Sequence, residues 1–426
     1  MNEEAKLLRQ VRIIDPVANS DRQQDVLLVN GRVATIETSL TNYPQHTAVV
    51  DARGMVLGTG LVDLYSHSAE PGNESRETLQ ELAETAAAGG FTQIAILPDT
   101  VPAINNPDIL ASLQQRSKNL CSRDVTLPQI HFWAAAFANT QTMNELAELK
   151  TASVGFTGKY NLGELYLLKQ MLEYIKPWQK PVAIALTDKP LSGMGVAREG
   201  AASIRQGLLG NPAYSETATI AAALEIIAAI NTPVHIMRVS TQRSVELIAS
   251  AKQRGVPITA STTWMHLLHD TETLDSYDPN LRLEPPLGNK NDRLGLIDGV
   301  KQGIIDAIAI DHRAYTYEEK TVSFAQTPPG VVGLSIALPL LWQRFVSSGE
   351  WTALELWKAL SSRPLSCLQR ATLPISALDA TELVLFAPTQ TWLASSNNLK
   401  SPANNTLWRD RQITGKVIQT WRGKNS

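Results

Sequence analysis

Short apolar runs alternate with longer helical stretches through the middle of this chain, and both ends are patterned differently. The runs Leu57–Leu64, Thr92–Leu97, Gln129–Ala136, Ser153–Thr157, Val182–Leu186, Val234–Val239, Pro257–Thr262 and Ala307–Ile310 have the length and composition of buried strands. Between them, Glu74–Ala88, Glu164–Ile175, Glu216–Ile230 and Ser244–Arg254 read as helices. Eight strands alternating with helices predict a (β/α)8 barrel, a TIM-type α/β fold. In such a barrel the chemistry lies at the C-terminal ends of the strands, which fixes where candidate site residues are sought.

The ends read as β. Asp25-Val-Leu-Leu-Val, then Asn30-Gly31, then Arg32-Val-Ala-Thr-Ile is a hairpin pattern, because both turn positions need positive φ. The C-terminal part has the same style in Glu382–Phe386 and Gly415–Trp421, with a Ser-, Asn- and Pro-rich stretch over Thr389–Arg411 that reads as a loop. Neither end holds enough apolar surface for its own core. The expected organisation is one small β-sandwich domain built from 1–55 and 365–426, and a barrel over 56–364.

Bulk composition narrows the function classes. A chain of 426 residues with 43% hydrophobic positions suits one large barrel plus a satellite. A net charge of −3 offers no basic excess for nucleic acid or a membrane surface. The charged start MNEEAKLLRQ has no apolar signal region, and no apolar run approaches the roughly 20 residues that span a bilayer, so a soluble cytoplasmic protein is expected. Cys121 and Cys367 form no CxxC spacing and read as two buried small hydrophobes. No Gly-x-Ser-x-Gly, Walker or GxGxxG pattern occurs.

At the end of the first strand stands Gly60-Leu-Val-Asp63-Leu-Tyr65-Ser-His67-Ser-Ala69-Glu70-Pro71-Gly72. This resembles the class I dihydroorotase signature G-[LF]-V-D-x-H-x-H-x-R-E-P-G. Five further matches follow in order: Leu97-Pro98-Asp99-Thr100, Glu199-Gly200-Ala201, Pro233-Val-His235-Ile-Met-Arg238-Val-Ser240-Thr241, Glu284-Pro285-Pro286-Leu287 and Ala309-Ile-Asp311-His312. The resemblance covers nearly the whole chain and places it among the amidohydrolases. It implies reversible closure of carbamoyl aspartate to dihydroorotate in pyrimidine synthesis, by hydroxide on one or two zinc ions and an eighth-strand aspartate that shuttles the proton.

Position by position, the pattern departs from the family. The first signature histidine is Tyr65, while His67 is retained. The fourth-strand carboxylate or carboxylated lysine aligns with Gly158, with Lys159 out of register by one or two residues. The fifth-strand histidine aligns with Ala185 and the sixth-strand histidine with Arg238, while the proton-shuttle aspartate survives as Asp311. On the substrate side the usual arginine is Ala69, the asparagines are Asp99 and Glu284, a second arginine is Gly288, and a histidine is Tyr315. These changes remove cations and add anions where a dianion should bind.

His67 and Asp311 are therefore the only surviving ligands for a residual single-metal site, against the three that catalytic zinc takes. Their other reading is a histidine–carboxylate hydrogen bond, with Arg238 paired to Asp311 in place of the metal's charge. No cofactor is expected, zinc having room only at low occupancy. His235 reads as a core histidine, and His266 and His269 as surface or loop residues. The resemblance then implies a pseudoenzyme: a non-catalytic dihydroorotase-like protein acting as structural or regulatory partner of aspartate transcarbamoylase, itself a homo-oligomer. The alternative is an active dihydroorotase or other cyclic-amide hydrolase with an atypical, at most single-metal site.

Overall fold

The computed structural model describes residues 5–122, 126–138, 142–371, 373–375 and 382–422. Eight parallel strands, Leu61–Ser66, Phe91–Ile96, Gln129–Ala135, Gly155–Tyr160, Val182–Leu186, Val234–Met237, Ile258–Thr263 and Ala307–Ala309, follow one another in spatial order around the barrel. The first and last strands meet where the His67 N–H donates to the His312 carbonyl at 2.8 Å and the Ile310 N–H donates to the Asp63 carboxylate at 2.8 Å. The predicted (β/α)8 barrel is the fold of this chain.

The interior is packed rather than hollow. Leu64, Ala95, Trp133, Ala183, Met237 and Ala309 form a cluster inside the strands. The helix Ser362–Cys367 closes the bottom, bringing Leu365 and Cys367 into the same cluster. Burial pushes the Cys367 thiol up to about 12, which leaves it protonated and inert. Cys121 is exposed, against expectation, because it falls in the loop after the helix Pro107–Asn119.

Both chain ends build one sheet, ordered Gln412–Trp421, Leu383–Leu393, Val56–Thr59, Ala5–Asp15, Ser20–Val29 and Arg32–Glu37, with Ala48–Asp51 also on Ala5–Asp15. The Asn30-Gly31 hairpin is present, with φ of 52° and 74° at its two turn residues. The stretch Thr389–Arg411 is less of a loop than its composition suggests: Thr391–Leu393 pair with Gln412–Thr414, and Ser396–Leu399 is a helical turn.

The run Leu57–Leu64 is two strands. Val56–Thr59 belongs to the terminal sheet and Leu61–Ser66 to the barrel, with Gly60 at the crossing. A Cβ on Gly60 would lie 2.1 Å from the Thr92 hydroxyl, so a continuous side-chain ladder cannot pass there. The predicted helix Glu74–Ala88 begins only at Leu79, where Thr78 and Glu81 form a capping box. The fourth strand sits two to three residues later than predicted, at Gly155–Tyr160. No helix among the described residues is long and apolar enough to cross a membrane.

Candidate functional site

The C-terminal strand ends bring His67, Asp99, Arg238 and Asp311 together. Asp311 and Arg238 each follow a strand with left-handed backbone, at φ 53° and 56°, which turns their side chains toward each other. The Arg238 guanidinium is bidentate on Asp311: Nε donates to Oδ2 at 2.7 Å and Nη2 to Oδ1 at 2.6 Å. Nη2 also lies 3.1 Å from His67 Nε2, and that nitrogen lies 3.2 Å from Asp311 Oδ1. On its other side the His67 Nδ1–H donates to Asp99, at 2.7 and 2.9 Å from the two carboxylate oxygens.

Burial disfavours the charged form of Asp311, yet Arg238 and His67 hold its carboxyl well below the usual carboxylate range. Asp99 is held low in the same way, by His67 and then by Arg313 at 3.4 Å. Burial alone would lower the Arg238 pKa; Asp311 raises it above the ordinary arginine value. The four side chains form one charge network, which Arg313 extends through Asp99.

This network tests the implied metal site. A zinc ion would need the Nε2 lone pair of His67 and the oxygens of Asp311. In neutral His67 that lone pair accepts from Arg238 Nη2; in protonated His67 it carries a hydrogen directed at Asp311. Both Asp311 oxygens already accept from Arg238. Among the described residues no group of three or more His, Cys, Asp or Glu side chains is arranged to hold a metal ion. The residues present do not fit the metal centre that the family implies.

The positions expected to carry ligands have other work. Tyr65 is fully buried; its hydroxyl accepts from the Arg238 N–H at 3.1 Å and shares a hydrogen bond with Ser261 at 2.9 Å. Its ring underlies the Arg238 guanidinium at 5.3 Å. Ala185 lines the cavity beside this network and offers no donor.

Gly158 is a different case. A Cβ there would run into the Tyr160 ring, 2.7 Å from its hydroxyl. The residues of the fourth strand whose side chains line the mouth include Thr157 and Lys159. Lys159, paired in register with Ala185, thus stands at this strand end beside Gly158. Loss of hydration, and then the nearby Arg238, lower the Lys159 pKa.

The substrate side is also more balanced than the motifs suggest. Lys159, out of register in the motif comparison, and Arg313, which directly follows the matched Asp311-His312, add cations facing Asp99 and Glu284. The expected inversion of charge is therefore incomplete. Ala69 is half-buried and places no charge in the mouth. Tyr315 is buried, with its hydroxyl donating to the Pro329 carbonyl and its ring under Arg76, Arg313 and Lys320. At Gly288 a Cβ would meet Asp292 at 2.5 Å and the Ser240 carbonyl at 2.8 Å, so no arginine fits that backbone.

Beside the network lies a cavity of about 350 Å³, lined by apolar side chains such as Leu97, Phe137, Leu167 and Met237 and by Asp99, Lys159 and Arg238. His235 is a core histidine, bonded to Thr259 and Ser261. His266 is buried rather than superficial, held by Thr263 and the Pro285 carbonyl, while His269 packs on Trp408.

Sequence reasoning missed three buried polar anchors. Asp63 bridges the first and last strands, and burial pushes its carboxyl up to about 7. His312 and Glu77 form a fully buried pair at 3.0 Å. Glu216 accepts from Ser240, Thr241 and Ser244, with Arg198 beyond. Asp63, His312, Ser240 and Thr241 stand in matched motifs, so the motifs carried part of the signal; what they did not reveal was a structural role.

Residues 54–244 match the family described as Dihydro-orotase-like. A protein of Synechocystis sp. described as a probable dihydroorotase-like protein is 40% identical over 436 residues, covering 96% of this chain and 98% of that one. A dihydroorotase of Syntrophus aciditrophicus is 33% identical over 421 residues, covering 97% of each. Among solved structures, the L-hydantoinase of Arthrobacter aurescens superposes with a TM-score of 0.83 at 19% identity, covering 97% of this chain and 94% of that one, which shows the shared barrel-and-sandwich fold. On sequence and fold together, this chain belongs to the dihydroorotase-like family.

Proposed function

We propose that this chain is a non-catalytic member of its family, a homo-oligomeric structural or regulatory partner of aspartate transcarbamoylase. The observation that carries the reading is the position of the Arg238 guanidinium, bidentate on Asp311 and 3.1 Å from His67 Nε2. A fixed cation with five donors and no acceptor stands where a family enzyme needs an exchangeable one with open coordination. The barrel frame and its buried anchors remain, which fits retention of shape without retention of chemistry.

Two assays test the proposal. Purified protein with added zinc is expected to show no interconversion of carbamoyl aspartate and dihydroorotate above a protein-free control; turnover would overturn the non-catalytic part. Size-exclusion chromatography of the protein mixed with aspartate transcarbamoylase from the same organism is expected to give a co-eluting complex; separate elution at micromolar concentrations would remove the partner.

One observation favours a second reading, a cyclic-amide hydrolase with at most a single metal. The 350 Å³ cavity still opens beside the Asp99–His67 pair, and Lys159 lines it. Turnover of a cyclic amide that is lost on His67→Asn would favour it.

A further inference from the structure

The end of the barrel away from the His67–Asp311 mouth holds a second concavity, of about 750 Å³, near the starts of the third, fourth and fifth strands. Gln129 opens the third strand, Ser153 precedes the fourth and Pro181 precedes the fifth. Its charge is one-sided. Lys118, Lys180, Arg370 and Arg422 line it together with His131, and no carboxylate among the described residues does.

We propose that this concavity is a binding site for a small phosphate-bearing anion, on the face opposite the family's catalytic mouth. Several independent features support it. The cations disturb one another: after desolvation, the Arg370 charge lowers the pKa of both His131 and Lys180, and Arg422 lowers His131 further. Like charges gathered without a carboxylate are relieved when an anion enters. Glu382, the acid that Arg370 and Arg422 sense, lies outside the lining and also accepts from Gln93 and Thr92.

Two of the cations are held in place by backbone carbonyls. Lys180 Nζ donates to the Ser153 carbonyl at 3.0 Å and Arg422 Nε to the Leu127 carbonyl at 3.0 Å. Lys118 and Arg370 are exposed at the rim. Ser153 belongs to the lining, and its hydroxyl is buried and has no hydrogen-bond partner. A buried hydroxyl left unpaired is costly, and a turn of the Ser153 side chain toward the cavity would let an anion oxygen satisfy it. The volume exceeds what inorganic phosphate fills, and Ile130, Phe132 and Trp178 line part of it. An organic phosphate fits this combination better than a bare ion.

Isothermal titration of the full-length protein with ATP and, separately, with inorganic pyrophosphate tests the site. Saturable one-to-one binding of ATP that weakens with added salt is expected, with pyrophosphate weaker. Equal affinity for the two would mean a site for the phosphate groups alone and would overturn the organic part of the proposal. The double variant Lys118→Met/Arg370→Met removes two rim charges and is expected to weaken ATP binding at least tenfold with an unchanged melting temperature. Ser153→Ala is expected to weaken binding several-fold while leaving the unliganded protein as stable or more so, a combination that a purely structural serine would not give. No saturable binding, or binding unaffected by both variants, overturns the proposal.

Discussion

Replacing Arg238 by methionine keeps most of its volume and removes its charge. The carboxylate left behind is largely buried, with the Asp311 side chain 19% exposed and that of Arg238 6% exposed. Two unit charges about 4 Å apart at the effective dielectric of a protein site attract by about 4 kcal/mol. Breaking a buried pair by removing one partner costs about 3–5 kcal/mol, because the other charge stays behind unpaired. Residual water access to Asp311 and the neighbouring His67 place the expectation at the lower end, about 3 kcal/mol. Urea unfolding followed by tryptophan fluorescence reads this directly, the chain having 9 tryptophans. The second arm is Arg238→Met/Asp311→Asn, in which no charge is orphaned. It is expected to recover most of the loss, giving a coupling of about 2 kcal/mol or more. A single variant within about 0.5 kcal/mol of wild type, with coupling equally small, would refute the claim that the two side chains form a structural charge pair.

Stability should fall in mild acid. Burial holds His131 and His235 at about 3 and His266 and His269 at about 4, below the ordinary 6.5, so below pH 6.5 the unfolded chain binds more protons. Their contribution is complete well above pH 6.5 and at pH 5.5 has lost about 1 kcal/mol for each of the four rings. Asp63, raised to about 7, acts in reverse: its contribution is present below pH 3.8 and is lost as pH rises through 7. It offsets about 2 kcal/mol between pH 8 and 5.5, so the net loss is about 2 kcal/mol, and a melting temperature higher at pH 5.5 than at pH 8 would contradict this balance. Gly58→Ala would place a Cβ 2.2 Å from the Trp357 ring and is expected to cost about 1–3 kcal/mol in urea unfolding, with Trp357→Leu relieving part of the loss in the double variant. Arg238→His would add a third donor beside His67 and Asp311 and is expected to bind zinc more tightly than wild type in equilibrium dialysis; no gain would mean that the strand ends cannot converge on a cation.

The fold was legible because its signals are local and repeated. Alternating strands and helices specify a barrel, and Asn30-Gly31 specifies a hairpin whatever surrounds it. The site was legible at His67, Arg238 and Asp311 because each stands at a strand end at fixed spacing from a motif. Lys159 and Arg313 were not, since which strand residue faces the mouth depends on register. Thr157 and Lys159 share one face of the fourth strand and Gly158 the other, and the sequence pattern does not say which face is inward. The buried role of Tyr65 depends on Ser261, 196 residues away, and the exclusion of any side chain at Gly288 depends on the Ser240 carbonyl. Such contacts are made by tertiary packing and leave no local pattern. The cationic concavity is likewise invisible along the chain, because Lys118, Lys180, Arg370 and Arg422 come from four separate segments.

The central claim is that the Arg238 guanidinium has taken the place of the family's metal. Elemental analysis by mass spectrometry is the direct test, on wild-type protein incubated with excess zinc and with bicarbonate, so that Lys159 has the chance to become carboxylated, and then desalted. The account expects zinc far below one ion per chain, unchanged by bicarbonate. One or two zinc ions retained per chain, lost on His67→Asn or Lys159→Met, would contradict it.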